Sequence, residues 1–187
     1  MSRNRSAPTR LYSAARALST AAGIAGTLVV GSCHSAPLTR PESAVPKSIA
    51  LERTPCFGMC PAYQVSLDRA GGISFVSRNS YDDGRTANGV VASSVLDSLY
   101  ARAVRVDFFA FPDTFVGNPP FCDSYATDSP TATVTINTIA GKKSVVDYHG
   151  CFAKSPAAKA KLSALRAFED AIDTLTGSSR WIQPNRR

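Results

Sequence analysis

Two hydrophobic periods alternate along the chain between Ile49 and Leu175, and their succession limits the fold more than any other feature. Ile49 and Leu51, then Tyr63, Val65 and Leu67, then Ile73 and Phe75 stand two apart, the spacing of strands with one buried face. Asp68-Arg69-Ala70-Gly71-Gly72 supplies turn chemistry between the second and third runs. Asp82-Asp83-Gly84 makes another turn, and a short strand around Thr86–Val91 completes a meander. Val95, Leu99, Ala103 and Val106 then recur at helical gaps behind Ser94, the expected N-cap, with Asp97 as its capping-box partner. A second hairpin follows from Thr133–Ile136 through Ala140-Gly141-Lys142 to Val145, Val146 and Tyr148. In the last helix Ser155 caps, Pro156 takes the first position and Gly177 ends it, while Leu162, Leu165, Phe168, Ile172 and Leu175 line one face. The order strands, helix, strands, helix predicts an α+β domain. Its mainly antiparallel sheet is built from two hairpin or meander units, with two helices, near 94–106 and 156–176, packed on one face. Phe108, Phe109 and Phe111 are expected to plug the core, and Pro112–Pro130, with four prolines, to be a long loop.

Charge excludes a nucleic-acid binder. The 187 residues carry 21 Lys and Arg against 14 Asp and Glu, a formal +7. Arg3, Arg5, Arg10 and Arg16 account for four of the positive charges. Arg40, Lys47, Arg186 and Arg187, set against Glu42, account for the rest of the excess. The body from Ile49 to Ile182 is neutral, with no basic footprint.

Residues 1–33 read as an export signal. An arginine-bearing segment without acids precedes the apolar run Leu18–Val30, which is shorter than the ~20 residues that span a bilayer. Val30-Gly31-Ser32-Cys33 resembles the bacterial lipobox, in which small residues precede the cysteine that is lipidated and becomes the mature N-terminus. The acyl chains on Cys33 would exceed the two signals that stable membrane attachment needs. An ordinary signal peptide cleaved after Ser32 is the alternative. His34 in place of Asp after the cysteine resembles the signal for onward transport to the periplasmic side of an outer membrane. Residues 34–48, with Pro37, Pro41 and Pro46, are expected to be an extended linker, and residues 183–187 a disordered tail.

The stretch L-E-R-T-P-C-F-G-M-C-P-A-Y-Q-V-S-L-D, from Leu51 to Asp68, is similar to the opening of a known family. That family consists of uncharacterised bacterial proteins, often lipoproteins, catalogued as domain of unknown function 6438. The matching positions are Arg53, Thr54, Cys56, Gly58, Cys60, Pro61 and Tyr63. Thr127-Asp128-Ser129-Pro130-Thr131, Gly141-Lys142-Lys143 with Val145–Tyr148, Ile172-Asp173 and Trp181-Ile182 resemble its later segments. The resemblance covers residues 49–182. It implies a compact envelope-associated domain and no activity.

Five cysteines divide into Cys33, taken by lipid, and an even set of four suited to an oxidising compartment. The favoured pairing is Cys56–Cys60, with Gly58 easing the tight turn, and Cys122–Cys151, which would tie the proline-rich loop to the second hairpin. A soft-metal or redox site is the alternative. Cys56-Phe57-Gly58-Met59-Cys60-Pro61 resembles the C-x-x-x-C-P of thioredoxin-like copper chaperones, with His149 as a distant ligand and Met59 as a thioether suited to Cu(I). Those proteins place the motif between a strand and a helix, whereas here it leads into the strand Tyr63–Leu67. Cys56, Cys60, His149 and Cys151 also make a plausible zinc set, but one that must form before oxidation.

Catalytic motifs are lacking: there is no G-x-S-x-G, H-E-x-x-H or glycine-rich phosphate loop. His149 is the one body histidine that could act as a base, and a satisfied or solvated residue is its plainer role. Asp82-Asp83 reads as turn chemistry, Asp128 as a loop cap and Lys142-Lys143 as a hairpin tip. The expectation is a membrane-anchored envelope lipoprotein acting as a non-catalytic binding or structural module. It would have no cofactor, and its partners would be the membrane and an envelope protein.

Overall fold

A computed structural model describes residues 45–117 and 120–182. The signal segment with Cys33, the linker up to residue 44 and the tail 183–187 lie outside the described residues. Four strands come first: β1 (Pro46–Arg53), β2 (Tyr63–Asp68), β3 (Gly72–Ser77) and β4 (Thr86–Val90). Helix α1 (Ser94–Arg105) and a 3-10 turn (Phe108–Ala110) follow. Next are β5 (Ser124–Tyr125), β6 (Thr131–Thr138), β7 (Lys142–Tyr148) and β8 (Cys151–Phe152), and then α2 (Pro156–Thr176) and a second 3-10 turn (Ser178–Trp181).

Among the described residues six strands form one sheet in the order β4-β3-β2-β1-β6-β7, every neighbouring pair antiparallel. The first meander therefore joins the second hairpin through β1 against β6. Register follows from burial: Ile49 opposes Leu67 and Ile136, and Leu51 opposes Val65 and Val134. A slip of one residue would turn all of these apolar side chains outward. They share the core with Phe75, Val145 and the buried faces of both helices, which touch each other and β1. The expected α+β order and helix placement on an antiparallel sheet are what the structure has.

Helix α2 is capped as its sequence dictates. The Ser155 hydroxyl accepts the Ala158 N–H at 3.1 Å, Pro156 occupies the first turn, and Gly177 turns left-handed at φ 64° to end it. Three details differ from expectation. Helix α1 has Ser93 in the cap position, with helical φ/ψ and no side-chain cap bond, and Asp97 pairs with Arg69 at 2.7 Å. Its buried face is Leu96, Leu99, Tyr100 and Ala103, one residue round from the expected stripe. Strand β1 begins at Pro46, so the last three residues of the expected linker are sheet.

The proline-rich loop is partly ordered by the sheet edge. Val146 N–H donates to Asp113 and Phe115 N–H donates to Val146, so the loop covers the outer edge of β7. Phe115 is fully buried and packs edge-on against Phe111 and Phe121 at centroid distances of 5.4 and 4.8 Å. Phe108 and Phe111 lie in the core, but Phe109 stays half-exposed beside Tyr100. Further along, β5 pairs with β8 as a small separate sheet.

Candidate functional site

The apolar alternation of the sheet runs out at one end into a polar row. One step beyond Leu51 on the inner face stands Arg53; one step beyond Val145 stands Asp147. Register sets Asp147 opposite Ala132, Ala132 opposite Arg53, and Arg53 opposite Tyr63, so three polar side chains share a single line across four strands. Two residues past Asp147, His149 follows in the turn to β8, its backbone N–H held by the Pro130 carbonyl at 2.9 Å.

Helix α2 lays a matching polar edge over this row. Its buried positions Leu162, Leu165, Glu169, Ile172 and Thr176 recur at gaps of three and four, which puts a carboxylate in the middle of the apolar stripe. Arg166, Asp170 and Asp173 flank it at helical spacing. The groups bind one another closely. Tyr63 donates its hydroxyl proton to Asp173 Oδ1 at 2.6 Å, and the Ser178 hydroxyl donates to the same oxygen at 2.6 Å. Arg53 meets Asp173 Oδ2 at 2.9 Å, Asp170 at 3.3 Å and Glu169 Oε2 at 3.5 Å. Arg166 donates through Nε to Asp147 Oδ2 at 2.9 Å and reaches the carbonyls of Tyr148, His149 and Cys151 at 3.4 Å each. His149 Nε2 lies 2.8 Å from Glu169 Oε2 and 3.7 Å from Asp147 Oδ2.

Burial makes these contacts matter. The side chains of Asp147 and Glu169 are 0% and 1% exposed, and that of His149 is 26% exposed. Burial pushes the Glu169 carboxyl above the usual carboxylate range, and nearby Asp147 adds to this against the pull of His149 and Arg53. Burial also raises the Tyr63 hydroxyl, reinforced by the Asp173 charge, so it stays a proton donor. Burial alone would lower Arg53, but Asp173, Tyr63 and Glu169 together hold it above its ordinary value. Glu169 Oε1 is buried and has no hydrogen-bond partner among the described residues. One donor atom each from Asp147, His149 and Glu169 lies within 4.8 Å of the others, a spacing able to hold a metal ion.

The cysteines lie elsewhere. Cys56 and Cys60 sulfurs are 1.99 Å apart and Cys122 and Cys151 sulfurs 2.06 Å apart, each pair at bonding distance. Gly58 takes φ 145° within the short loop, where Phe57 is 91% and Met59 62% exposed. Cys56 and Cys60 border a cavity of about 620 Å³ with Arg78, Asn79, Tyr81 and Asp83. The ring of His149 is engaged by Glu169 and Asp147, so the structure does not place it as a ligand beside Cys56, Cys60 and Met59, nor in the Cys56, Cys60, His149, Cys151 zinc set. Of the remaining candidates, Asp82 accepts from Ser77 and Arg85 within its turn, and those bonds hold its carboxyl below the usual range despite burial. Asp128 adopts φ 61° and its carbonyl accepts Phe57 N–H at 3.0 Å. Lys143 donates to Phe111 O and Asp113.

Sequence reasoning missed Asp147, Glu169 and Arg166. Two signals were present: a carboxylate at a core position of α2, and charged residues continuing the inward phase of β1 and β7.

The fold and these sites define a disulfide-linked antiparallel α+β domain whose last helix is bound to the sheet by buried ions. Residues 47–176 match the family model described as Domain of unknown function (DUF6438), and the chain belongs to that family. No curated protein matches the chain.

Proposed function

We propose that this protein is a membrane-tethered lipoprotein of the bacterial envelope, anchored through Cys33, whose domain serves as a non-catalytic binding or structural module. The observation that carries this reading is cysteine pairing. Four of the five cysteines fall into two pairs at bonding distance, which suits an oxidising compartment and leaves Cys33 of the V-G-S-C sequence as the odd one. The same pairing supports a structural role for C-x-x-x-C over copper handling, since a disulfide offers no thiolate. The buried ions support it too, because Arg53 and Arg166 spend their donors fastening α2 and the β7–β8 turn to the sheet. An outer-membrane address on the periplasmic side and an envelope-protein partner complete the reading.

Mass spectrometry of the envelope fraction tests it. The expected species begins at Cys33 and carries three acyl chains. A mature N-terminus downstream of Cys33, or an unmodified Cys33, overturns the anchor. Crosslinking in intact cells is then expected to capture an envelope protein.

A further inference from the structure

We propose that Asp147, His149 and Glu169 form a binding site for one divalent transition-metal cation of the zinc class. The donor set is one imidazole nitrogen and two carboxylates, which selects borderline metals over Mg²⁺ and Ca²⁺, whose preferred ligands are all oxygen. Geometry agrees. Ligands about 2.0–2.2 Å from a tetrahedral ion stand roughly 3.4 Å apart. The observed separations from His149 Nε2, 2.8 Å to Glu169 Oε2 and 3.7 Å to Asp147 Oδ2, bracket that value.

Independent support comes from Glu169 Oε1, a fully buried carboxylate oxygen to which no group of the described residues donates. Leaving such an oxygen unpaired is costly, and native folds rarely do so without a use for it. A proton on His149 satisfies Oε2 and leaves Oε1 unchanged; a metal ion can draw on both oxygens. Charge points the same way. Asp147, Glu169 and Asp173 outnumber Arg53 and Arg166 by one, and Asp170 adds a further negative charge at the rim. A divalent cation brings the group close to neutrality.

The scaffold already orients the ligands. Arg166 fixes Asp147 and, through three carbonyls, the turn that carries His149; Arg53 faces Glu169. Supporting contacts of this kind hold ligating side chains in metal sites. His149 alone of the three is partly exposed, so it marks the entrance, and the side left open there would keep water as the remaining ligand.

The test uses the full chain with both disulfides formed, its affinity tag removed and its metals stripped by chelator. Calorimetric titration with ZnCl₂ is expected to give one ion per chain, and MgCl₂ none. His149→Ala and Glu169→Gln are each expected to weaken zinc binding at least about 30-fold, and His34→Ala to leave it unchanged. Nitrogen NMR of the His149 ring is expected to shift on adding zinc. Circular dichroism confirms that each variant is folded, and the wild-type titration stands even if one variant is not. Absence of zinc binding by the folded wild-type chain overturns the proposal. So does binding that survives His149→Ala or is lost with His34→Ala.

Discussion

Arg53, the last residue of β1, meets Asp173, near the end of α2, at 2.9 Å across 120 residues of chain. Both positions belong to the stretches by which the sequence resembles its family. The pair also holds Tyr63, which donates to the same carboxylate. Arg53→Ala is expected to cost about 3 kcal/mol, because it leaves Asp173 and Glu169 partly or wholly buried without their cation. Urea denaturation of the variant measures this. A loss below about 1 kcal/mol would place the pair among solvent-screened surface bridges.

Glu169 gives a pH signature in the metal-free protein. Its carboxyl is raised in the folded state by burial and by Asp147, against His149 and Arg53. The folded chain thus holds this proton more tightly than the unfolded chain does. The stability it contributes is complete below the unfolded value of 4.5 and is lost as pH rises through the folded one. Glu169→Gln, which cannot ionise, should therefore be more stable than wild type at pH 8 and match it near pH 4. Denaturation curves with chelator at both pH values decide. Wild type ahead at pH 8 would mean that His149 and Arg53 outweigh burial.

Phe168 is the aromatic anchor of α2, 2% exposed and edge-on to Phe108 at 5.8 Å. Phe168→Ala should cost roughly 3–5 kcal/mol, since the rigid sheet beneath cannot collapse into the void. Equilibrium unfolding checks it, and an effect under about 1 kcal/mol would show that the helix face repacks freely.

The two disulfides should differ in worth. Cys122–Cys151 closes a separation of 29 residues and Cys56–Cys60 one of 4. Chain entropy then assigns about 3.6 kcal/mol to the first and about 2 kcal/mol to the second. Paired Cys→Ala variants compared by chemical denaturation should reproduce that order. The reverse order would mean that the loop around Phe115 and Phe121 stays closed by its aromatic packing alone.

Much of the fold could be read from local pattern. Alternation at Ile49–Leu51, Tyr63–Leu67 and Thr133–Ile136 dictated strands because only a period of two places those side chains on one face. Ser155, Pro156 and Gly177 marked both ends of α2 because each satisfies a geometric need that few residues meet. Helix α1 was less legible. Val95, Leu96, Leu99, Tyr100, Ala103 and Val106 permit two overlapping stripes, and only its seat against β1 and α2 selected the one containing Leu96 and Tyr100.

What the sequence determined by itself, then, was which face the core strands and helix α2 would bury, since that follows from covalent periodicity. The tertiary structure alone decided who meets whom at the polar end of the sheet. Arg53, Tyr63 and Asp147 share a row through strand register, and Glu169, Arg166 and Asp173 reach it through the seating of α2. Register and helix position are collective outcomes of packing the apolar core, whereas charge partners interact only within a few ångströms. No spacing along the chain encodes a contact between residues 20 to 120 apart, so the His149–Glu169 and Arg53–Asp173 pairs existed only once the core had formed.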